Sequence, residues 1–174
     1  MFITDVIVDS RSLGLMKKKY NTNIVFLYLF VLSMLLSVGI IVYGIIQKIT
    51  GYNTYLFGGC ALLISGFWLF YVVKNLKETK KAYTQIKDRG EYVYRKVIEV
   101  NAQHKHNTST IVSLVSAIVV SICMIVVAVV QIANYNPDTF YILPMLFVLG
   151  VFSYYQTIVN FIDDKIYRNC IFNN

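Results

Sequence analysis

Four long runs without a charged side chain constrain this chain more than any other feature. They are Ile24–Ile46, Tyr55–Val73, Ile111–Ala133 and Phe140–Ile162, and none contains Asp, Glu, Lys, Arg or His. A helix rises about 1.5 Å per residue, so about 20 apolar residues cross the hydrocarbon core of a bilayer. In hydrocarbon, the backbone groups of a spanning segment must be satisfied within a helix. The runs therefore predict an all-α, polytopic integral membrane protein with four transmembrane helices.

The overall composition supports this fold class. Of the 174 residues, 57% are hydrophobic and only 14% are charged, whereas a soluble domain carries about 25% charged residues. The surplus of apolar side chains is expected to face lipid. Cys60, Cys123 and Cys170 show no framework spacing, so disulfides are not expected.

The connections between the runs predict how the helices pair. Gln47–Thr54 and Asn134–Thr139 are short and rich in Asn, Gly or Pro, so each is expected to join an antiparallel pair of helices. The predicted architecture is two transmembrane hairpins, at residues 24–73 and 111–162. Residues 74–110 connect them, and segments 1–23 and 163–174 flank them.

The distribution of charge predicts the orientation in the membrane. The net charge is +7, and segment 74–110 carries nine Lys and Arg residues against four acids. By the positive-inside rule this segment lies in the cytoplasm, as do Lys17–Lys19 and Lys165 near the two termini. The prediction is N-in and C-in. Since these cations are explained as topology signals, direct nucleic-acid binding is not expected.

The connecting segment carries an apolar seam with a helical repeat. Its members recur at alternating steps of seven, three and four, and they are Leu76, Tyr83, Ile86, Val93, Val97 and Val100. The spacing predicts a helix that continues span two into the cytoplasm, with a hairpin turn at Asp88–Gly90 as the alternative. A narrow seam indicates packing against a second copy of the chain or a partner protein. The alternative is a helix lying flat on the inner leaflet, and the N-terminal segment is also compatible with an interfacial position.

The sequence offers no catalytic constellation. No Asp, Glu, Lys, Arg or His falls within the four runs, where its cost would mark it as functional. His104 and His106 have no Cys or acid close by, so they are interpreted as part of a solvated loop before a helix start at Thr108–Thr110. A membrane enzyme that uses Asp163, Asp164 and His104 on lipid head groups has no motif to support it. We therefore expect no enzyme activity, no cofactor and no metal site.

Small and polar residues form stripes within the runs. Ser33, Ser37 and Gly44 share one face of span one, and span three carries the stripe Ser113, Ala117, Ser121 and Ala128. These stripes predict close helix packing within or between protomers, with a pore lining as the alternative.

Span four carries a more polar face in its second half. Its members, within about 120° of one another at 100° per residue, are Gly150, Ser153, Gln156, Thr157 and Asn160. Such a face is expected to avoid lipid. The two interpretations are an interhelical hydrogen-bond seam and the wall of a water-filled vestibule.

The general layout of the chain resembles small membrane subunits of antiphage defence systems, and in particular the membrane subunit of the Kiwa system. The shared features are four spans, short outer loops, a basic helical cytoplasmic connection and a composition rich in Lys, Asn, Ile and Tyr. This resemblance implies an oligomeric protein of the bacterial inner membrane that senses disturbance of the envelope and engages a cytoplasmic effector protein. It carries over no site residues. The alternative function, based on the polar faces, is a pore-forming effector or holin-like channel that depolarises the cell.

Overall fold

The structure of the protein, a computed structural model, describes residues 2–49, 52–98, 102–134 and 142–171. Most of these residues are helical. In chain order the elements are β1 (Phe2–Asp9), a 3-10 turn (Ser10–Ser12), α1 (Leu13–Ile46), α2 (Tyr52–Arg89), β2 (Glu91–Ile98), α3 (Ala102–Asn134) and α4 (Ile142–Ile171).

Three of the described helices, α1, α2 and α4, are long and apolar enough to cross a membrane. Their outward faces are strongly apolar: Leu35, Leu63 and Phe70 are 64%, 74% and 72% exposed. A water-soluble monomer rarely leaves such contiguous apolar surface uncovered. The prediction of a largely helical membrane protein is confirmed. In α3 the apolar stretch with described side chains is shorter, Leu114–Val127, so the fourth span stays a prediction.

α1 and α2 pack along most of their length. Ser33 Oγ lies 3.0 Å from Ser65 Oγ, and Asn23 Nδ2 lies 3.3 Å from Thr79 Oγ1. Later residues of α1 thus meet earlier residues of α2, so the two helices run antiparallel. At 1.5 Å per residue they are about 50 Å and 57 Å long, well beyond the roughly 30 Å of a hydrocarbon core.

α4 is the central helix of the described fold. It contacts α1 and α2 on one side, whereas α3 packs chiefly against α4. Gly150 permits the close approach of α3, because a Cβ added there would lie 3.2 Å from the Met124 sulfur.

The described members of the two small-residue stripes pack within the chain, which favours the first interpretation. Ser33 and Ser37 are fully buried between α1 and α2, and Ala117 is fully buried on α3. The side chains of Ser113 and Ala128 lie outside the described part of α3.

The buried apolar residues form two cores. The helix core lies between α1, α2 and α4, and its buried members are Phe26, Phe30, Val72, Val151, Tyr155 and Val159. The strand-side core lies where these helices meet β1, and its buried members are Val8, Met16, Ala82, Ile86, Ile162 and Ile166. The same three helices run through both cores without interruption.

A two-stranded sheet replaces the predicted helix beyond residue 90. The helical continuation of span two is correct as far as Arg89, where α2 ends. Gly90 then adopts φ +82 and donates its N–H to Ile86 O at 3.0 Å, which is a left-handed helix end. β2 follows and pairs antiparallel with β1, from Phe2↔Ile98 to Asp9↔Glu91. The all-α prediction is wrong here because β-branched and aromatic residues favour the extended backbone once a partner strand is present.

Two further boundaries differ from the predictions. α3 begins at Ala102, so His104, His106 and the Thr108–Thr110 helix start are all within the helix and not in a loop before it. Ala and Gln are good helix formers, which explains the earlier start. The N-terminal segment, whose sequence is compatible with an interfacial position, divides into β1, the 3-10 turn and the first turns of α1, so α1 begins before the predicted span at Ile24.

Candidate functional site

A group of polar side chains lies between the helix core and the strand-side core, and we call it the polar junction. α1 contributes Lys19 and Asn23, one helical turn apart, and both are buried. α2 contributes Asn75 and Thr79, also one turn apart, and α4 contributes Tyr155 and Asp163. On α1 the junction falls between Met16 of the strand-side core and Phe26 of the helix core.

The centre of the junction is the Tyr155 hydroxyl. It donates to Asn23 Oδ1 at 3.0 Å and accepts from Asn75 Nδ2 at 2.9 Å. Asn23 in turn donates from Nδ2 to Thr79 Oγ1 at 3.3 Å. Since a phenol has one proton, its donor is fully used here. The chain of bonds joins one side chain from α1, two from α2 and one from α4.

The tyrosine ring is held by aromatic contacts on the side of the helix core. Phe26 and Phe30 approach it edge to face, with ring centroids 5.2 and 6.3 Å away. Tyr155 is 1% exposed, so its hydroxyl position is set by packing on both sides. Edge-to-face aromatic pairs contribute about 0.5–1.5 kcal/mol beyond area burial.

An ion pair completes the junction towards the strand-side core. Lys19 Nζ lies 2.6 Å from Asp163 Oδ1, and the two side chains are 11% and 26% exposed. Asp163 is two helical turns beyond Tyr155 on α4, so α1 and α4 are joined at two levels. Removing one partner of such a poorly solvated pair leaves a charge with little access to water, which is costly.

A second polar pair lies inside the helix core. Ser33 Oγ is 3.0 Å from Ser65 Oγ, and each hydroxyl also lies within 2.8 Å of a carbonyl one turn earlier on its own helix, Phe30 O or Ala61 O. Two hydroxyl protons serve at most two of these three contacts at once. The main effect of the two small serines is therefore to permit close approach of α1 and α2, and their hydrogen bond adds little to the stability of the contact.

The polar face predicted on span four is present but only partly paired. Ser153 is buried, and Thr157 Oγ1 donates to Ser153 O of its own helix at 2.8 Å. Gln156 and Asn160 are half-buried, and neither amide forms a hydrogen bond to another described residue. Among the described residues, the interhelical hydrogen bonds in this part of α4 are made instead by Tyr155 and Tyr154, the latter to Ser121 Oγ at 2.7 Å.

The position of this face follows from helical geometry. Phe152 packs on Trp68 of α2 with centroids 4.1 Å apart, and Gly150 faces α3. At 100° per residue, Gln156 and Asn160 fall between these two directions. They therefore line the cleft on α4 between α2 and α3.

The predicted cytoplasmic seam is divided between several environments. Ile86 is 2% exposed in the strand-side core, and Tyr83 packs against that core. Leu76 is half-buried and directly follows Asn75 of the junction. Val93 and Val97 lie on β2, and Val100 lies outside the described residues. The apolar character of Ile86 and Tyr83 is thus explained by packing within the chain, and they do not form a free surface for a partner.

The polar junction was not predicted from the sequence. Asn23 and Asn75 fall just outside the uncharged runs, and Tyr155 lies within the fourth run, where it was not singled out. The sequence did contain a signal for the junction. Lys19 and Asn23 are polar residues spaced i, i+4, and so are Asn75 and Thr79. Both pairs lie at the ends of two spans that were expected to be neighbours.

The junction joins three helices through paired polar side chains. Within the described residues no three His, Cys, Asp or Glu side chains come together as metal ligands. The chain matches no protein family, no curated protein and no solved structure.

Proposed function

We propose that this chain is a non-enzymatic, oligomeric inner-membrane subunit of a bacterial antiphage defence system, which senses disturbance of the membrane and engages a cytoplasmic effector protein. The observation that supports this proposal is the polar junction. It joins three helices at the border between an apolar helix core and a separate core that contains the sheet. Such an arrangement is suited to transmitting movement and leaves the chemistry to a partner.

The proposed topology follows the charges. The strand-side ends of α1 and α2 carry several lysines, namely Lys17, Lys18, Lys77, Lys80 and Lys81. At the opposite end, the connection between these two helices carries a single cation, Lys48. By the positive-inside rule the strand-side core lies in the cytoplasm, and both termini lie on that side. Under the proposal α3 is the fourth span and the helices form two hairpins.

The length of the helices supplies a physical route for the signal. α1 and α2 exceed the hydrocarbon thickness by about 20 Å or more. A bilayer that becomes thinner or thicker changes the tilt of spanning helices. A tilt change of about 10° displaces a helix end 20 Å from its pivot by roughly 3 Å. Because the junction links α1, α2 and α4 at the border, the strand-side core would move with the helices.

The proposal also accounts for the exposed surface of α3. Its apolar side chains are exposed on the face turned away from α4, with Ile111, Ile125 and Val129 at 60%, 64% and 59%. A span that packs chiefly against one neighbour has room for contact with a second copy, and helices in lipid associate through such packing. This supports the oligomeric part of the proposal.

A plating experiment tests the function. The chain is expressed with its chromosomal neighbours in a susceptible bacterium, and the efficiency of plaque formation is measured over a panel of phages. We expect wild type and Tyr154→Phe to lower plaque formation at least tenfold for some phage, and Tyr155→Phe to lose most of this protection. Membrane abundance is matched by immunoblot. The proposal is contradicted if wild type protects against no phage, or if Tyr155→Phe protects as well as wild type.

A second candidate function, a pore-forming effector, is favoured by one observation. Gln156 and Asn160 are half-buried on α4 without hydrogen-bond partners among the described residues, as expected for side chains that contact water in a vestibule. The test introduces cysteines at Ser153, Gln156 and Asn160 in a cysteine-free background, with Phe152 and Ile158 as controls. Reaction of the first three with small water-soluble thiol reagents, together with ion leak in liposomes that Leu at both amide positions suppresses, would favour the pore. If none of the five cysteines reacts with the reagents, the pore function is excluded.

A further inference from the structure

A groove runs along the outer surface of α1 beside α4, near the polar junction. Its volume is about 440 Å³, and it is lined by Gly14, Lys17, Lys18, Asn21, Thr22, Val25, Phe26 and Ile158. The α1 residues in this set follow the i, i+3, i+4, i+7 pattern of one helical stripe, over about 16 Å from Gly14 to Val25. The groove is therefore elongated along the helix axis.

The lining changes from charged to apolar along that axis. Lys17 and Lys18 are at one end, and both are exposed and form no ion pair with a described residue. Asn21 and Thr22 follow, and the other end is formed by Val25, Phe26 and Ile158. The apolar end lies beside the helix core, and the lysines lie beside the strand-side core.

We propose that this groove binds one anionic phospholipid, with its phosphate between Lys17 and Lys18 and the beginning of an acyl chain against Val25, Phe26 and Ile158. The order of chemistry along the groove matches the order within a phospholipid that stands in the inner leaflet. Two lysines, with no acid engaging them among the described residues, complement a phosphate diester. Asn21 and Thr22 supply hydrogen bonds at the level of the glycerol esters.

The neighbouring charges support an anionic occupant. On α4, Asp163 is engaged by Lys19, and Asp164 has an interaction of its own. Phosphate near the start of α1 also lies at the positive end of the helix dipole. The inference depends on α1 lying in the membrane but not on the proposed sensing function, so the test below uses purified protein without phage or effector.

The test measures lipid retention by native mass spectrometry of purified, delipidated full-length protein. The probes are dioleoyl phosphatidylglycerol, dioleoyl phosphatidylcholine and inorganic phosphate. We expect one phosphatidylglycerol to bind at least tenfold more tightly than phosphatidylcholine, and inorganic phosphate not to displace it. Equal binding of the two lipids, or displacement by phosphate at comparable concentration, would overturn the proposal.

Variants assign the binding to the groove. Lys17→Gln with Lys18→Gln should weaken phosphatidylglycerol binding at least tenfold, whereas Lys80→Gln with Lys81→Gln removes the same charge from exposed positions of α2 and should leave it unchanged. Gly14→Leu should also abolish retention, because an added Cβ meets nothing within 4 Å and the side chain is free to fill the groove. Equal loss in both lysine pairs would show attraction by net charge alone and contradict a defined site.

Discussion

Tyr155→Phe is the most informative substitution in the polar junction. It removes one oxygen and keeps the ring, so the aromatic contacts with Phe26 and Phe30 and the buried apolar area are preserved. It leaves Asn23 Oδ1 without its donor, and Asn23 is 0% exposed. A buried polar group without a partner costs about 1–3 kcal/mol. Asn75 is half-buried and its Nδ2 donates to water instead, so it adds little.

We therefore expect Tyr155→Phe to lower the free energy of unfolding by about 1–3 kcal/mol, more than the roughly 0.6 kcal/mol average for interhelical hydrogen bonds in membranes. The measurement is reversible unfolding in mixed micelles, followed by circular dichroism. Tyr154→Phe is the control: Tyr154 is 45% exposed, and its partner Ser121 retains a bond to Ala117 O at 2.7 Å. If the two variants differ by less than about 0.5 kcal/mol, the argument that the junction is a buried, fully paired network is refuted.

Three further predictions follow from packing and topology. Gly58→Ala should destabilise the α1–α2 contact by about 1–3 kcal/mol in the same unfolding assay, because its Cβ would lie 2.8 Å from Ile41 Cγ1. Gly59→Ala is the control and should be neutral or stabilising, because its Cβ meets nothing within 4 Å. Ile86→Ala should lower the free energy of unfolding by about 2–5 kcal/mol, because it leaves a cavity in the strand-side core. Lys87→Ala, at the exposed neighbouring position, removes no buried atoms and should change the free energy of unfolding by less than about 0.5 kcal/mol. In a cysteine-free background, a cysteine at Lys48 should react with an impermeant maleimide added to whole cells, and one at Lys81 only after lysis; labelling of Lys81 from outside would reverse the proposed orientation.

Hydropathy predicted the positions of the helices because spanning segments follow from a local property, the absence of charge over about 20 residues. The small-residue stripe Ser33, Ser37 and Gly44 was also correctly assigned to packing, since one-turn spacing fixes the face of a helix without knowledge of its neighbour. These features depend on residues close together in the chain. The polar face of α4 was recognised for the same reason, but its pairing was not.

The sheet was missed because strand pairing depends on distant residues. β1 and β2 are about 90 positions apart, and each is only eight residues long. The spacing of Ile86, Val93 and Val97 satisfied a helical repeat by coincidence, since short apolar segments fit both periods. Gly90 and the run of Val and Tyr after it were the local signs of a helix end and a strand.

The polar junction was missed for a different reason. The uncharged runs end just before Asn75 and begin just after Asn23, so both residues were assigned to the flanking segments. Their pairing with Tyr155 depends on the relative rotation of three helices, which a single sequence does not specify. A tyrosine inside an apolar run appears hydrophobic in a hydropathy scan, although its hydroxyl needs a partner once it is buried.

The most direct test of the account is whether membrane thickness moves the strand-side ends of the helices through the junction. Spin labels at Lys87 on α2 and Lys165 on α4, both exposed, report the distance between these ends in a cysteine-free background. Pulsed electron paramagnetic resonance is measured in bilayers with acyl chains of about 14 and about 22 carbons. The account predicts that the distance distribution of wild type and Tyr154→Phe shifts by roughly 3 Å between the two bilayers, and that Tyr155→Phe shows a smaller or broader response. Identical distributions for wild type in thin and thick bilayers would contradict it.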